Sequence, residues 1–165
     1  MSIYKEMGFR PEKESTSEAA LYNVARTFTL LNRLFQRHHA QFDLTPAKLN
    51  VLMLVKHGGD EEGLPQREIA KRLIISGSDV TGLIDRLEKD GLLTRRGAPA
   101  DRRVKLIKIT PKGSALLDKL WPAHIRQVEQ TMSPLSKREQ EQLIMLLTKV
   151  RARLQNGDGT EAHPQ

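Results

Sequence analysis

Residues 78–90 combine small polar side chains and cations in an order suited to reading a nucleic-acid groove. On a helix advancing about 100° per residue, Val80, Leu83, Ile84 and Leu87 share one face, and Ser78, Thr81, Gly82, Asp85 and Lys89 share the other. Serine and threonine hydroxyls bond to either base type or to phosphate, and a threonine methyl can touch that of thymine. Gly82, near the centre of the polar face, lets a helix approach closely. Arg86 and Lys89, toward the flank and far end, suit phosphates. Asp85 is repelled by a polyanion unless it accepts from a cytosine amine or pairs with an arginine. Pairing fits better, with Arg86 or an arginine of the next segment as partner. Ser76 precedes Asp79 by three residues, the spacing of a helix cap, and joins the candidate contacts. A solvated helix on an unrelated protein would also carry a polar outer face, so the segment that follows decides.

That segment is Leu92-Leu93-Thr94-Arg95-Arg96, the loop Gly97-Ala98-Pro99-Ala100-Asp101-Arg102-Arg103, then Val104-Lys105-Leu106-Ile107-Lys108-Ile109. The second run contains β-branched residues with partial alternation, and the two short runs around a Gly/Pro/Asp loop read as a hairpin. Arg95, Arg96, Arg102, Arg103 and Lys105 surround its tip, with Asp101 the acid between them. Arginines at such a tip can lie along a nucleic-acid backbone or enter a narrow minor groove, where the potential is most negative. Asp101 and Arg103, two residues apart, are placed to pair and aim the arginine. Clustering of the cations at one tip, directly after a reading helix, argues against a merely solvated loop.

The elements that must position these residues follow from periodicity and punctuation. Residues 1–16 are polar and aperiodic, a flexible arm. Ser15 and Glu18 have the spacing of a capping box, and Leu21, Val24, Ala25, Phe28, Leu31 and Phe35 form one apolar stripe to about His39 or Phe42. Thr45-Pro46 restarts the chain as cap and first helical residue. Leu49, Leu52, Met53 and Val55 make a short helix ending at Gly58-Gly59. Leu64-Pro65 opens another, with Ile69, Ala70 and Leu73 inward, and the reading helix ends at Gly91 in the C′ position. The two short helices joined by a tight turn make a helix-turn-helix, whose second helix enters the major groove. Thr110-Pro111 begins a further helix, with Leu116, Leu117 and Leu120 inward, which Pro122 should kink or restart. Ser136 and Glu139 form another capping box before Leu143, Leu146, Leu147, Val150 and Leu154.

The predicted fold is mainly α (α+β): a winged helix-turn-helix with N- and C-terminal dimerisation helices. Residues 1–16 form the arm, 17–44 the N-terminal dimerisation helix, and 45–113 the winged DNA-binding domain. Residues 114–155 form the C-terminal dimerisation helices, and 156–165 a disordered tail. The end helices carry more apolar surface than one small centre can cover, which points to pairing with a second copy.

Composition agrees with a polyanionic partner. The 165 residues include 27 Lys and Arg against 20 Asp and Glu, a net charge of +7. Double-stranded DNA is the expected partner. The absence of cysteine excludes disulfides, thiol redox sensing and Cys-ligated zinc, and suits the cytoplasm. No apolar run approaches the roughly 20 residues of a membrane span, so no membrane partner is expected. The sequence holds no Ser-His-Asp order, Gly-rich phosphate loop or HExxH motif. Neither an enzyme nor a cofactor is expected. An interaction module that kept a winged fold without binding DNA would not need arginines at the wing tip.

Leu44-Thr45-Pro46, the run from Arg67 to Leu73, the run from Val80 to Leu93, Asp101-Arg102-Arg103 and the run from Ile109 to Gly113 occur in an order that resembles MarR-type regulators (multiple antibiotic resistance regulators). The resemblance covers roughly residues 20–155. It implies a dimer built from the terminal helices, a palindromic operator, repression, and relief by a small aromatic acid or phenol. It implies paired wing roles for Asp101 and Arg103, and DNA-contacting positions for Ser78, Thr81, Gly82 and Arg86. Effector pockets of such proteins lie between the dimer helices and the reading head. Arg37, His38, His39 and Met53 are the candidates there, since an arginine or histidine can hold a carboxylate by a charge-assisted bond. No metal is expected: His38 and His39 are adjacent, so on a helix they diverge by about 100°.

Overall fold

A computed structural model describes residues 2–8, 13, 15–73, 80–99 and 101–157. The chain divides into two units, residues 1–120 and 121–165.

In the first unit, α1 (Ile3–Glu6) precedes the long helix α2 (Thr16–Ala40). The N-terminal arm is therefore not wholly loose. Ile3 and Tyr4 are buried, and the Tyr4 ring meets that of Tyr22 edge-on at 5.9 Å. The Ser15 capping box is closed through this tyrosine. Glu18 N–H donates to Ser15 Oγ (3.4 Å), Ser15 N–H donates to Tyr4 Oη (3.2 Å), and the Tyr4 hydroxyl reaches the Ser15 carbonyl and Glu18 Oε2. The Tyr22 hydroxyl donates to the other Glu18 oxygen at 2.9 Å. That hydrogen bond, with lesser help from desolvation and the carboxylate charge, raises the Tyr22 pKa.

Helix α3 (Pro46–Gly58) starts as expected, with Thr45 Oγ1 accepting from Lys48 N–H at 3.2 Å. The segment Leu64–Pro65, expected to open a helix, is instead a strand, β1, and α4 (Gln66–Arg72) begins immediately after it. Helix α5 (Val80–Lys89) is followed by β2 (Leu93–Gly97) and β3 (Lys105–Ile109), the expected hairpin. The sheet has three antiparallel strands in the order β1-β3-β2, with Leu64 opposite Ile107 and Arg95 opposite Ile107 from the other side. Its third strand escapes periodicity because two residues cannot alternate.

Leu49, Leu52 and Val55 of α3, Ile69 of α4, and Val80, Leu83, Ile84 and Leu87 of α5 form one core with Leu93, Ile107, Leu117 and Leu120. This packing holds α5 by its apolar face and leaves its polar face outward. Helix α5 stops in a Schellman turn: Gly91 adopts φ +71°, its N–H donates to the Glu88 carbonyl, and Leu92 N–H donates to the Leu87 carbonyl. Helix α6 (Pro111–Met132) is keyed to that turn. The Thr110 hydroxyl donates to the Gly91 carbonyl at 2.8 Å and accepts from Gly113 N–H at 3.0 Å. A side chain at Gly113 would collide with the Leu92 carbonyl oxygen.

Helix α6 runs through Pro122 as a single helix rather than restarting. The second unit begins at Trp121 and contains the rest of α6 and α7 (Lys137–Gly157). The expected capping box at its start is present: Ser136 N–H and Oγ–H both reach Glu139 Oε2, at 2.8 and 2.7 Å. These bonds lower the Glu139 pKa. No residue of α7 whose burial is described is buried. Among the described residues, no helix is long and apolar enough to cross a membrane.

Candidate nucleic-acid interface

The expected inner and outer faces of α5 are the faces it has. Val80, Leu83, Ile84 and Leu87 are at most 6% exposed. Thr81, Asp85, Arg86 and Lys89 are exposed, with Gly82 half-buried between them. Ser76 and Ser78 lie outside the described residues.

Gly82 does not present bare backbone. The Arg86 guanidinium folds back one turn, and a Cβ built at Gly82 would stand 3.5 Å from Arg86 Nη1. The Arg86 side chain thus lies over the glycine on the outer face, at a distance that is an ordinary contact.

Asp85 pairs with an arginine, and that arginine is Arg95 on β2. Arg95 Nε also lies 3.8 Å from Glu88, and the Arg95 backbone N–H donates to Glu88 Oε1 at 3.1 Å. Arg95, expected as a DNA contact, is therefore engaged by two carboxylates of α5 and locks the wing strand to the helix. Arg96 and Lys108 are likewise engaged. They donate to the carbonyls of Glu62 (2.9 Å) and Glu61 (2.7 Å), pinning the loop before β1 to the sheet.

At the wing tip the Asp101 carboxylate accepts from the backbone N–H of Arg103 at 2.9 Å, and Val104 N–H donates to the Asp101 carbonyl at 2.9 Å. The pairing expected between Asp101 and the Arg103 guanidinium is replaced by this turn. Aspartate here shapes the backbone from which Arg103 projects. Arg102 and Arg103 are exposed and form no ion pair with a described residue.

A cleft of about 480 Å³ opens between α4, α5 and β3. Its lining includes Gln66, Arg67, Thr81, Arg103 and Lys105. Among the described residues no carboxylate pairs with these three cations. Their positive field is open to an anion. Arg67 and Gln66 were missed by sequence reasoning. Their signal was the position directly after Pro65 at the start of the first helix of the helix-turn-helix, where side chains share a cleft with those of the second.

Of the expected effector residues, His38 and His39 meet edge-on, with ring centroids 5.5 Å apart, but Arg37 and Met53 line different clefts. Arg37 lines a cleft of about 380 Å³ with Leu30, Arg33 and Gln36. His39 is buried beside the Phe35 ring, with centroids 5.6 Å apart, and His38 is half-buried. Met53 lines a different cleft, of about 400 Å³, with Asn50, Leu54, His57, Arg72 and Leu73. Among the described residues no group of three metal-ligating side chains gathers.

Residues 42–104 match the family model described as MarR family. The chain is 32% identical over 127 residues to the HTH-type transcriptional regulator MhqR of Bacillus subtilis, covering 77% of this chain and 86% of that one. It superposes on the S. aureus MepR–DNA complex with a TM-score of 0.74 and 26% identity, covering 86% of this chain and 99% of that one. It also superposes on Bordetella bronchiseptica BpsR, whose DNA binding is regulated by 6-hydroxynicotinic acid. There the TM-score is 0.74 and the identity 27%, with 84% and 97% covered. These relatives and this fold are those of DNA-binding transcriptional regulators, not of enzymes.

Proposed function

The chain belongs to the MarR family of transcriptional regulators, and on that premise we propose that it acts as a homodimer that represses transcription from a palindromic operator and is released by a small aromatic acid or phenol. The observation that carries the reading is the common outward surface of α5, the start of α4 and the wing, where cations and small polar groups stand together.

Thr81 and Gly82 face base edges, and the sequence assigns Ser76 and Ser78 to the same contact. Arg86, Lys89, Arg67 and Lys105 neutralise phosphates, and Arg102 and Arg103 carry the wing onto the backbone or into the minor groove. Arg95 braces the wing through Asp85 and Glu88. Asp101 sets the tip. Residues 45–113 are the DNA-binding domain, and residues 17–44 and 114–155 supply the dimer surfaces. Two heads held by one two-fold axis require two half-sites.

The cleft under Met53 best fits the effector. Met53, Leu54 and Leu73 offer walls for a ring, while Arg72, His57 and Asn50 offer partners for a carboxylate or phenol. Arg37, His38 and His39 contribute only if the partner copy completes a pocket around them. A ligand there would lie against Arg72 and Leu73, at the end of α4 in the helix-turn-helix.

Selection of bound fragments from genomic DNA tests the reading. The full-length protein should enrich duplexes with two-fold symmetric half-sites and prefer them to random duplex by at least roughly 10³-fold at fixed salt. Adding 6-hydroxynicotinic acid, a substituted benzoate or a phenol should release the complex. Equal binding of selected and random duplex sinks the regulator assignment. Release by none of the three ligand classes removes the effector assignment alone.

A further inference from the structure

We propose that Gln66 fixes the polarity of the contact that Thr81 makes in the groove, and is thus a positioning residue for sequence specificity. The inference rests on the reading of α5 as the helix that enters the major groove.

Gln66 is the first residue of α4, and Thr81 lies fifteen positions later on the exposed face of α5. Gln66 Nε2 donates to Thr81 Oγ1 at 3.0 Å. The glutamine is half-buried and follows Pro65, which the sheet holds opposite Leu106. Its amide is therefore presented from a fixed backbone rather than from a mobile loop.

A hydroxyl carries one proton and two acceptor positions. Left alone, threonine can donate to a base or accept from one, and so discriminates weakly. Here the amide proton of Gln66 occupies one lone pair of Oγ1. The Thr81 proton must then point away from Gln66. Accepting this bond also polarises the hydroxyl and strengthens it as a donor. Thr81 and Gln66 both line the cleft rimmed by Arg67, Arg103 and Lys105, whose charges draw the phosphates that bring the groove to this point. One proton and one lone pair then remain, so the balance shifts toward donation, and Thr81 favours acceptor edges: guanine O6 or N7, adenine N7 or thymine O4. It disfavours the cytosine amine.

The experiment selects duplexes from a randomised library with the full-length wild type and with Gln66→Ala, Gln66→Glu, Thr81→Val and Gln66→Ala/Thr81→Val. The position read by Thr81 is the one whose preference Thr81→Val erases. Wild type should prefer an acceptor-bearing base there. Gln66→Ala should lower the ratio of selected to random binding about three- to tenfold, with random-duplex binding at the same salt changed less than about twofold. The double variant should lose no more specificity than Thr81→Val alone, because the two residues act as one unit. Gln66→Glu is the sharper test. A carboxylate can only accept from the Thr81 hydroxyl, leaving its oxygen to accept from the base, so the preference should turn toward the cytosine amine.

Unchanged base preference in Gln66→Glu overturns the proposal. So do additive losses in the double variant, or equal losses on selected and random duplex, which would make Gln66 a phosphate contact. Failure of the underlying reading looks different, since the wild type itself would then show no preferred duplex.

Discussion

Gly82 and Arg86 make a single unit on the outer face of α5. A glycine inside a helix costs roughly 0.5–1 kcal/mol relative to alanine, and the fold accepts that cost at the centre of the outer face of α5. Space around Gly82 is not limited by the core. The nearest atoms to a built Cβ belong to the Arg86 guanidinium, at 3.5 and 3.9 Å, an ordinary contact with a flexible side chain. Gly82→Ala should therefore stabilise the fold, raising the melting temperature by about 1–4 °C for a chain of this length. The same change should weaken specific duplex binding, because the methyl stands between the helix backbone and the groove. Calorimetry and binding isotherms at fixed salt check the two halves. A more stable protein that binds as well as wild type would remove Gly82 from the contact surface. At this scale the sequence was legible wherever a wheel alone decides, as in the burial of Val80, Leu83, Ile84 and Leu87. Partner choice was legible only in part. Pairing of Asp85 with a wing arginine followed from its charge, but selecting Arg95 over its neighbours depends on strand register, which only the folded hairpin supplies.

Caps and turns set the limits of the elements, and most were visible as local chemistry. Thr45-Pro46, Gly91 and Ser136-x-x-Glu139 each do in the structure what their spacing implied. The elements that were not visible are those made by tertiary contact. Strand β1 exists because Leu64 and Pro65 find Ile107 and Leu106. Helix α1 exists because Tyr4 is buried and joins the cap of α2. Neither has enough residues to show a period. Helix α7 is the opposite case, since its first turn depends on a local charge. Glu139 accepts from the Ser136 N–H and hydroxyl, and these bonds hold its pKa below the ordinary glutamate value. A carboxyl that protonates less readily in the folded state stabilises it fully above the unfolded-state pKa. The contribution fades as pH falls through the folded-state pKa. Glu139→Gln should thus speed amide exchange in the first turn of α7 at neutral pH, and wild type should converge on the variant in acid. Identical exchange at neutral pH would show that the charge adds nothing to the cap.

Across the molecule, apolar surface is distributed in a way one protomer does not resolve. The first unit has a closed core, but α2 leaves Leu21, Val24, Phe28 and Leu30 between 46% and 64% exposed. In the second unit, Ile144, Met145, Leu146, Val150 and Leu154 of α7 are at least half exposed. Burying one such side chain is worth about 1.5–3 kcal/mol, so these stripes represent a large unrealised gain for a helix with no described buried residue of its own. In the proposed dimer a second copy supplies what is missing; periodicity alone signalled the stripes without identifying what covers them. Because Ile144 and Leu154 are each 64% exposed, changing both to glutamate removes little from the fold of the protomer. Ile144→Glu/Leu154→Glu should convert a dimer to a monomer in sedimentation equilibrium, with the winged domain still folded by circular dichroism. Binding to a two-half-site duplex should fall toward that of a single head on one half-site, since the second contact is no longer paid for by the first. A variant that stays dimeric would place the interface elsewhere. One that turns monomeric yet binds the full site undiminished would separate dimerisation from recognition, and the two heads would then read their half-sites independently.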